Sequence, residues 1–354
     1  SPLRSVPPPP PGGMPAGAVP LAGPGAGARA VPPPPIVNRT LRPGIYAPVP
    51  TFFTPDEELD LISFSKHVVR LAMAGVYPVI SGSTVSLPDC IDSSALDDRL
   101  TYSLVLVQGE APFLTPQERS SLVKSARAAL QMHGLDAAPI IAGANGNSLK
   151  HSLELAIDAA NAGADAAIVL STGYFASATN TPAGKAALKE YFVELSNRSP
   201  IPILIYNFPG AAGGINMDSD FLIDLARSAP NTCGLKLTCN EIGKLLRICS
   251  VTALPEFATS FPRRHPNAPF LTFTGYADTL YPALMARGAG SITGLANIFP
   301  HTVSTSQGLF PVQRLITTAC YTSDPAPLRH SSREHQRRQH AAHDRGTDHT
   351  IRRG

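Results

Sequence analysis

The chain has 354 residues, of which 43% are hydrophobic and 16% charged, enough to bury the core of one large domain or two ordinary ones. Its formal net charge of +3 comes from arginines concentrated in residues 1–55 and 329–354, while the middle holds more acidic than basic residues and so lacks the clustered basic face that binds nucleic acid. No apolar run approaches the length that spans a bilayer, so the sequence predicts no membrane segment.

The N-terminal segment, residues 1–43, is rich in proline, glycine and alanine and includes five consecutive prolines at 7–11. Such a composition cannot build a packed core, so we predict a disordered segment with polyproline character. A mitochondrial transit peptide is also basic and poor in acids, but it needs an amphipathic helix that these prolines prevent. A cytoplasmic location is therefore favoured over a mitochondrial one.

From residue 44 onward, short apolar runs that predict strands alternate with longer amphipathic runs that predict helices. The predicted strands are 44–53, 76–82, 139–145, 165–170, 201–207, 233–237, 269–275 and 290–294. The predicted helices are 59–74, one that begins at Thr115-Pro116-Gln117-Glu118, 149–162, 184–197, 218–229, 240–250 and 277–287. This alternation of eight strands with helices predicts an α/β fold, a TIM (β/α)8 barrel, with its functional site at the carboxyl ends of the strands.

Two neighbouring predicted strands end in residues that suit covalent chemistry. Tyr206 closes the fifth strand and Lys236 lies in the sixth, so a barrel brings them together. Alternation along the sixth strand directs Lys236 into the barrel and the leucines on either side of it toward the helices. A buried amine with no obvious carboxylate partner is costly to charge, and a neutral amine is the nucleophile that a Schiff-base enzyme needs.

At these residues the sequence resembles the pyruvate-dependent Schiff-base aldolases and lyases, the family that includes dihydrodipicolinate synthase, N-acetylneuraminate lyase and 4-hydroxy-2-oxoglutarate aldolase. The segments that carry the resemblance, in the family's order, are APVPTFF, GST, GEAPFLTPQER, GADAAIVL, YNFPG, GLKLT and GAGSITGLANIFP. They span residues 44 to about 300. The resemblance implies an imine at Lys236, acid–base chemistry at Tyr206 and a proton-relaying hydroxyl at Ser83.

The resemblance also implies a substrate site around these catalytic residues. A turn formed by Ser83 and Thr84 would hold the pyruvate carboxylate on backbone N–H groups, and Gly210 and Thr238 are further candidates for substrate binding. Gly210 has the alternative role of an ordinary turn glycine. No cofactor or metal is implied, because the covalent imine through Lys236 supplies the electron sink.

Two departures from the family pattern select among its activities. Dihydrodipicolinate synthases place an arginine two residues after the YN-x-P proline, whereas this chain has Ala211, so a charged recognition element is missing. The tyrosine pair common after the fourth strand appears as Tyr174-Phe175. The sequence of the segment GEAPFLTPQER is closer to that of 4-hydroxy-2-oxoglutarate aldolase and the fungal 3-deoxy-hexulosonate aldolases than to that of the synthases. We therefore expect a lyase that cleaves a 2-oxo-3-deoxy or 4-hydroxy-2-oxo acid, with dihydrodipicolinate synthase activity as the alternative.

The family pattern is interrupted twice. Removing residues 85–108 restores the continuous motif GSTGEAPFLTPQER, and the resemblance ends after residue 302, near a second Thr-Val-Ser. Val-Ser is what an in-frame splice donor would encode, so we interpret both stretches as translated intron, an error of the gene model. The domain prediction is a barrel at 44–302 with an insert at 85–108, followed by a disordered or non-native tail at 303–354. We expect the family's eighth helix and C-terminal helices to be missing or replaced.

Partners and alternative functions follow from the same features. We expect a small-molecule 2-oxo acid substrate, no nucleic acid, no membrane, and a homo-oligomer, as a homotetramer is frequent in the family. The five cysteines form no CxxC pair, which favours a reducing compartment over a zinc site or a disulfide framework. Two other hypotheses for the function stay open: the chain is a catalytically inactive, mis-spliced barrel, or it is an interaction protein that docks through its proline-rich N-terminus.

Overall fold

The computed structural model describes residues 39–82, 110–265 and 268–308. Eight parallel strands form a closed barrel in chain order, and the first strand pairs with the eighth. The strands are β1 Gly44–Pro48, β2 Val76–Ile80, β3 Ile141–Gly143, β4 Ala166–Leu170, β5 Ile203–Asn207, β6 Thr232–Leu237, β7 Leu271–Thr274 and β8 Gly290–Ile292. The predicted TIM barrel is confirmed, and each predicted strand overlaps an observed one.

Helices follow the strands and surround the barrel. They are α1 Leu61–Met73, α2 Pro116–Met132, α3 Leu149–Ala162, α4 Pro182–Arg198, α5 Ser219–Ser228, α6 Ile242–Thr252, α7 Leu280–Met285 and α8 Pro300–Gly308. Two short helices, Ala176–Thr179 and Pro255–Ser260, lie outside this alternation. Among the helices that the structure describes, none combines the length and apolarity needed to cross a membrane.

The helix starts follow from local hydrogen bonds that the sequence specifies. The side chain of Thr115 accepts from the N–H of Glu118, and the Glu118 carboxylate accepts in return from the N–H of Thr115, which completes the predicted capping box of α2. Asp60 caps α1 through the N–H groups of Ile62 and Ser63. Such a cap stabilises a helix by about 1 kcal/mol, so these side chains help to determine the residue at which each helix begins.

Alternation along the strands separates the barrel interior from the layer beneath the helices. The interior cluster takes residues from every strand: Tyr46, Val79, Ile141, Ala166, Ile168, Leu204, Tyr206, Cys233, Leu271, Phe273 and Ile292. Leu235 and Leu237 belong instead to the cluster that packs against the helices. Lys236 lies between these two leucines, so its side chain is directed into the barrel as predicted.

Gly234 allows β6 to approach β7 closely. Its φ is +155°, and a Cβ at this position would lie 1.9 Å from the backbone oxygen of Leu271. A side chain there would push the two strands apart, two residues before Lys236. The glycine therefore helps to fix where the lysine lies in the barrel.

Residues 39–43, which the sequence assigns to the disordered segment, pack against the barrel. Arg39 forms an ion pair with Asp165, and Leu41 is 6% exposed in the core. The contacts of these two side chains explain why their backbone is placed against the barrel. Residues 1–38 lie outside the described residues.

The eighth helix is present, which corrects the expectation that it is missing. It starts at Pro300 and continues past residue 302 to Gly308; the helix contacts β1, and Val303 is buried in the core. One well-placed apolar side chain anchors a helix whose overall apolar periodicity is weak. The predicted insert at 85–108 and the remainder of the predicted tail, from residue 309, lie outside the described residues.

Candidate functional site

The site is built on the carboxyl ends of two adjacent strands. Tyr206 and Lys236 are register partners in the β5–β6 pair, and their exposed fractions are 1% and 2%. The amine Nζ of Lys236 lies 4.2 Å from the centroid of the Tyr206 ring. The structure therefore brings together the two residues that the sequence proposed as nucleophile and acid–base group.

The environment of Lys236 is largely apolar. Its register partner on the other side is Phe273 in β7, and none of the ion pairs among the described residues includes Lys236. Its amine faces the electron-rich ring of Tyr206, which attracts a cation. The same contact suits a protonated imine, because the imine carries the positive charge at the same nitrogen.

The loop after β5, residues 208–216, contacts the other partner of the pair. The ring of Phe208 stacks on that of Tyr206, with centroids 5.6 Å apart and an interplanar angle of 22°. Gly210 is exposed in the turn Pro209–Ala211. Its position there fits the alternative role of a turn glycine, while the neighbouring Ala211 lines a cavity.

Of the remaining predicted site residues, the structure describes Thr238 but not Ser83 or Thr84. Thr238 directly follows β6; its N–H donates to the backbone oxygen of Asn207 at 2.9 Å, and its buried hydroxyl has no hydrogen-bond partner in the described part of the chain. Within the described residues that hydroxyl is an unused donor, two residues from Lys236. Ser83 and Thr84 lie outside the described residues, which stop at Gly82 and resume at Glu110.

A cavity of about 390 Å³ opens beside Tyr206 at the carboxyl ends of β2 to β5. Its lining comprises Gly82, Ala111, Pro112, Leu114, Pro116, Arg119, Asn145, Gly146, Asn147, His151, Leu155, Leu170, Ser171, Thr172, Gly173, Tyr206, Phe208 and Ala211. These described lining residues include no aspartate or glutamate. The cavity therefore offers neutral donors and cationic groups, which suits an anionic or hydroxylated ligand.

Arg119 in α2 carries the positive charge of this cavity wall. Its Nη2 donates to the backbone oxygen of Ala111, and its Nη1 has no hydrogen-bond partner in the ranges that the structure describes. Burial lowers the pKa of the guanidinium. A half-buried cation that has no carboxylate partner among the described residues leaves a positive potential in the cavity.

Sequence reasoning did not identify Arg119, Ser171 or Tyr276. Ser171 directly follows β4, is 3% exposed and has an unpartnered hydroxyl within the described chain; its place at a strand end is the signal that could have identified it. Tyr276 follows β7, and its pKa is raised by burial, with a contribution from the Tyr206 phenol. Tyr174 and Phe175, which stand where the family has a tyrosine pair, are 88% and 67% exposed.

Glu110 ties the chain after the undescribed segment to the barrel. Its Oε2 accepts from the N–H of Thr51 at 2.9 Å, and its own φ of 30° lies in the left-handed region. Burial raises the pKa of its carboxyl. Its contacts are structural and fix the loop between the barrel and α2.

Comparisons with known proteins place the chain in a family. The family model described as the dihydrodipicolinate synthetase family matches residues 103–307. An L-threo-3-deoxy-hexylosonate aldolase of Aspergillus niger is 35% identical over 270 residues, which cover 73% of this chain and 72% of the relative. A protein of Emericella nidulans named as a probable mitochondrial 4-hydroxy-2-oxoglutarate aldolase is 35% identical over 266 residues, covering 75% and 72%.

A solved structure shares the fold. A protein of Coccidioides immitis described as belonging to the dihydrodipicolinate synthase family superposes with a TM-score of 0.58 at 33% identity, covering 81% of this chain and 80% of the other. The residues matched by the family model, 103–307, include the strands that carry Tyr206 and Lys236. On these findings, the chain belongs to the dihydrodipicolinate synthetase family.

Proposed function

We propose that the protein is a lyase, a Schiff-base aldolase that cleaves a 2-oxo-3-deoxy or 4-hydroxy-2-oxo acid into pyruvate and an aldehyde. The contact between Lys236 and Tyr206 at adjacent strand ends carries the proposal. Aldolase names among relatives that are 35% identical support the reaction class. The proposed chemistry uses no cofactor or metal.

The proposed reaction begins when the amine of Lys236 attacks the C2 carbonyl of the substrate and water leaves, forming a protonated imine. Tyr206 then takes the proton of the C4 hydroxyl as the C3–C4 bond breaks, and the bond's electron pair moves into the imine to give an enamine. The aldehyde departs. Tyr206 returns the proton to C3, and water hydrolyses the imine to release pyruvate and the free lysine.

Substrate binding is proposed on both sides of this pair. Ser83 and Thr84 would hold the C1 carboxylate, with the Ser83 hydroxyl relaying protons to Tyr206, and the free hydroxyl of Thr238 would bind near the imine. The cavity beside Tyr206 would receive the part of the substrate that becomes the aldehyde. Arg119 on its wall has no carboxylate partner within the described ranges, and its positive charge favours an acidic substrate.

Dihydrodipicolinate synthase activity is the second candidate, and Ala211 argues against it. The cavity wall at that point carries a methyl group where synthases have a guanidinium for the second carboxylate. Without that charge, aspartate semialdehyde loses a bidentate partner worth more than an ordinary hydrogen bond. We therefore rank cleavage above condensation.

The test combines trapping with turnover. Borohydride should inactivate the enzyme only when pyruvate is present, because only the imine is reduced to a stable amine. Release of pyruvate from 4-hydroxy-2-oxoglutarate and from L-threo-3-deoxy-hexulosonate should then be compared with synthase activity on pyruvate and aspartate semialdehyde. If pyruvate does not make the enzyme sensitive to borohydride, the Schiff-base mechanism is refuted and the hypothesis of an inactive barrel is supported.

The proposal also includes an oligomeric state and a cellular compartment for the protein. We propose a homo-oligomer, a tetramer as is frequent in the family, and a cytoplasmic location; the three cysteines described, Cys233, Cys239 and Cys249, are free thiols, as a reducing compartment allows. Sedimentation equilibrium measures the first and imaging of a tagged full-length chain the second. A mitochondrial signal would contradict the proposed location.

A further inference from the structure

A second lysine is buried near the proposed site. Lys244 in α6 has a side chain that is 3% exposed, and its Nζ donates to the Oδ1 of Asn216 at 2.5 Å and to the Oε1 of Glu241 at 3.2 Å. Within the described residues Lys244 has a carboxylate partner and Lys236 has none. The amine of Lys244 therefore holds two neighbouring acceptors in place.

Asn216 joins this ammonium to the end of strand β5. The same Oδ1 that accepts from Lys244 also accepts from the Nδ2 of Asn207 at 3.0 Å, and the Nδ2 of Asn216 donates to Glu241 at 2.7 Å. Asn207 is 1% exposed and directly follows Tyr206. One amide oxygen thus connects the lysine to the residue next to the proposed acid–base group.

Asn207 closes the loop 208–216 on itself. Its Oδ1 accepts from the N–H of Met217 at 3.0 Å, so the amide side chain at the loop's start holds both Asn216 and Met217 at its end. Its backbone oxygen also accepts from the N–H of Thr238. The loop carries Phe208, whose ring stacks on Tyr206. Fixing the loop therefore restricts where the tyrosine ring can lie.

We infer that Lys244 is a positioning residue, which acts through Asn216 and Asn207 to hold the Tyr206 ring in register with Lys236. The inference rests on the proposed function. Proton transfer at C3 requires placement of the phenol within a fraction of an ångström, whereas attack by the amine depends on Lys236 itself. Loss of Lys244 should therefore separate the two steps.

The experiment compares Lys244→Met with the wild type in two assays that share the imine. Trapping of pyruvate by borohydride reports imine formation, and exchange of the pyruvate methyl protons for deuterium reports proton transfer to and from the enamine. We expect trapping within twofold of wild type and exchange reduced by about tenfold to a hundredfold. Lys244→Arg, which keeps a cationic donor, should recover part of the exchange rate.

Two further variants keep the test decisive. Asn216→Ala removes the bridging amide from an exposed residue, so it should fold even if Lys244→Met does not, and it should slow exchange to a similar degree. The double variant should be no slower than either single one, since both act through one path. Lys189→Met, which removes a surface ion pair with Asp224, is the matched control and should leave both assays unchanged.

The outcomes are distinguishable. Unchanged exchange in Lys244→Met and Asn216→Ala, or a parallel loss of trapping and exchange in both, would overturn the positioning role. Absence of trapping in the wild type would instead refute the proposed function, and the positioning role with it.

Discussion

The Nζ of Lys236 lies over the ring of Tyr206, 4.2 Å from its centroid, so the proposed nucleophile and the proposed acid–base residue touch across neighbouring strands. This contact has an electrostatic consequence. The ring face attracts positive charge by about 1 to 2 kcal/mol in a desolvated site, and the protonated imine presents that charge at the lysine nitrogen. Tyr206 therefore contributes to the intermediate through its ring as well as through its hydroxyl.

The first prediction concerns which lysine forms the imine. Lys236 and Lys244 are both buried, but only Lys244 has an ion-pair partner among the described residues. We expect peptide mapping after reduction with borohydride and pyruvate to place the adduct on Lys236, and Lys236→Ala to form no adduct. An adduct on Lys244 would contradict the assignment.

The second prediction separates the ring of Tyr206 from its hydroxyl. Tyr206→Phe keeps the ring beside Lys236 and Phe208, so imine trapping should persist, while the rate of substrate cleavage should fall by about 10² to 10⁴ because proton transfer is lost. Steady-state kinetics and trapping measure the two effects. The control is Tyr191→Phe, which removes a partly buried phenol bonded to Ser152 in the helical layer and should leave cleavage intact.

The barrel and its reactive pair could be predicted because each depends on local pattern. Alternating strands and helices fix the fold, and a lysine between Leu235 and Leu237 must point inward once those leucines pack against helices. Thr115 and Glu118 likewise form the capping box from neighbouring residues alone. These features need no knowledge of distant contacts.

The features that sequence reasoning missed depend on residues far apart in the chain. Nothing in the sequence around Lys244 indicates that its amine donates to Asn216, which lies in the loop after β5. The sequence around Arg119 indicates an ordinary helix-surface arginine, and only the packing of α2 beside the strand ends makes it part of the cavity wall. The order of residues 39–43 depends on Arg39 meeting Asp165. Contacts between side chains that lie far apart in the sequence form only when the barrel is assembled, so hydrophobic periodicity does not predict them.

The third prediction concerns the insert at 85–108. Removing it joins Gly82-Ser83-Thr84 to Gly109-Glu110 and restores the family turn, whose placement governs the substrate carboxylate. We expect the deletion variant to raise kcat/KM for cleavage by about tenfold or more. Its control is a chain lacking residues 1–38, which should be as active as the full chain. If this truncated chain loses binding to a partner that both the full chain and the deletion variant retain, the docking hypothesis is supported.

The same insert has a test at the level of the message. The Val-Ser start of the insert predicts that the mature transcript lacks codons 85–108. Sequencing of the transcript checks this directly. A spliced message that retains these codons would end the gene-model interpretation.

The fourth prediction tests the ion cluster that holds Arg39 against the barrel. The Asp165 carboxylate pairs with Arg127 and Arg39 and accepts from the N–H of Ile140. Asp165→Asn leaves the mostly buried Arg127 guanidinium without its charge partner, so the free energy of unfolding should fall by about 3 kcal/mol. Asp224→Asn, which breaks the exposed pair with Lys189, should cost less than about 1 kcal/mol. Urea denaturation measures both, and equal losses would contradict the argument.

The fifth prediction concerns pH and the closure of the barrel. His67 in α1 bonds through Nε2 to the Oδ1 of Asn297, 3.0 Å away, and Asn297 in turn donates to the backbone oxygen of Pro48. Burial lowers the pKa of His67, and the nearby Arg70 lowers it further, although the bond to Asn297 opposes the shift. The unfolded chain, with a histidine pKa of about 6.5, therefore takes up a proton at a higher pH than the folded chain.

Because the unfolded state binds more protons in this range, stability is fully present above about pH 6.5 and is lost as the pH falls through the lowered pKa of His67. We expect the melting temperature of the wild type to decline between pH 7 and pH 5. His67→Gln keeps an amide N–H near the Nε2 position but cannot be protonated, so its decline should be shallower. His133→Gln, which alters an exposed histidine at the end of α2, is the control and should follow the wild type. A His67→Gln curve parallel to the wild type would show that other groups govern the acid sensitivity of the fold.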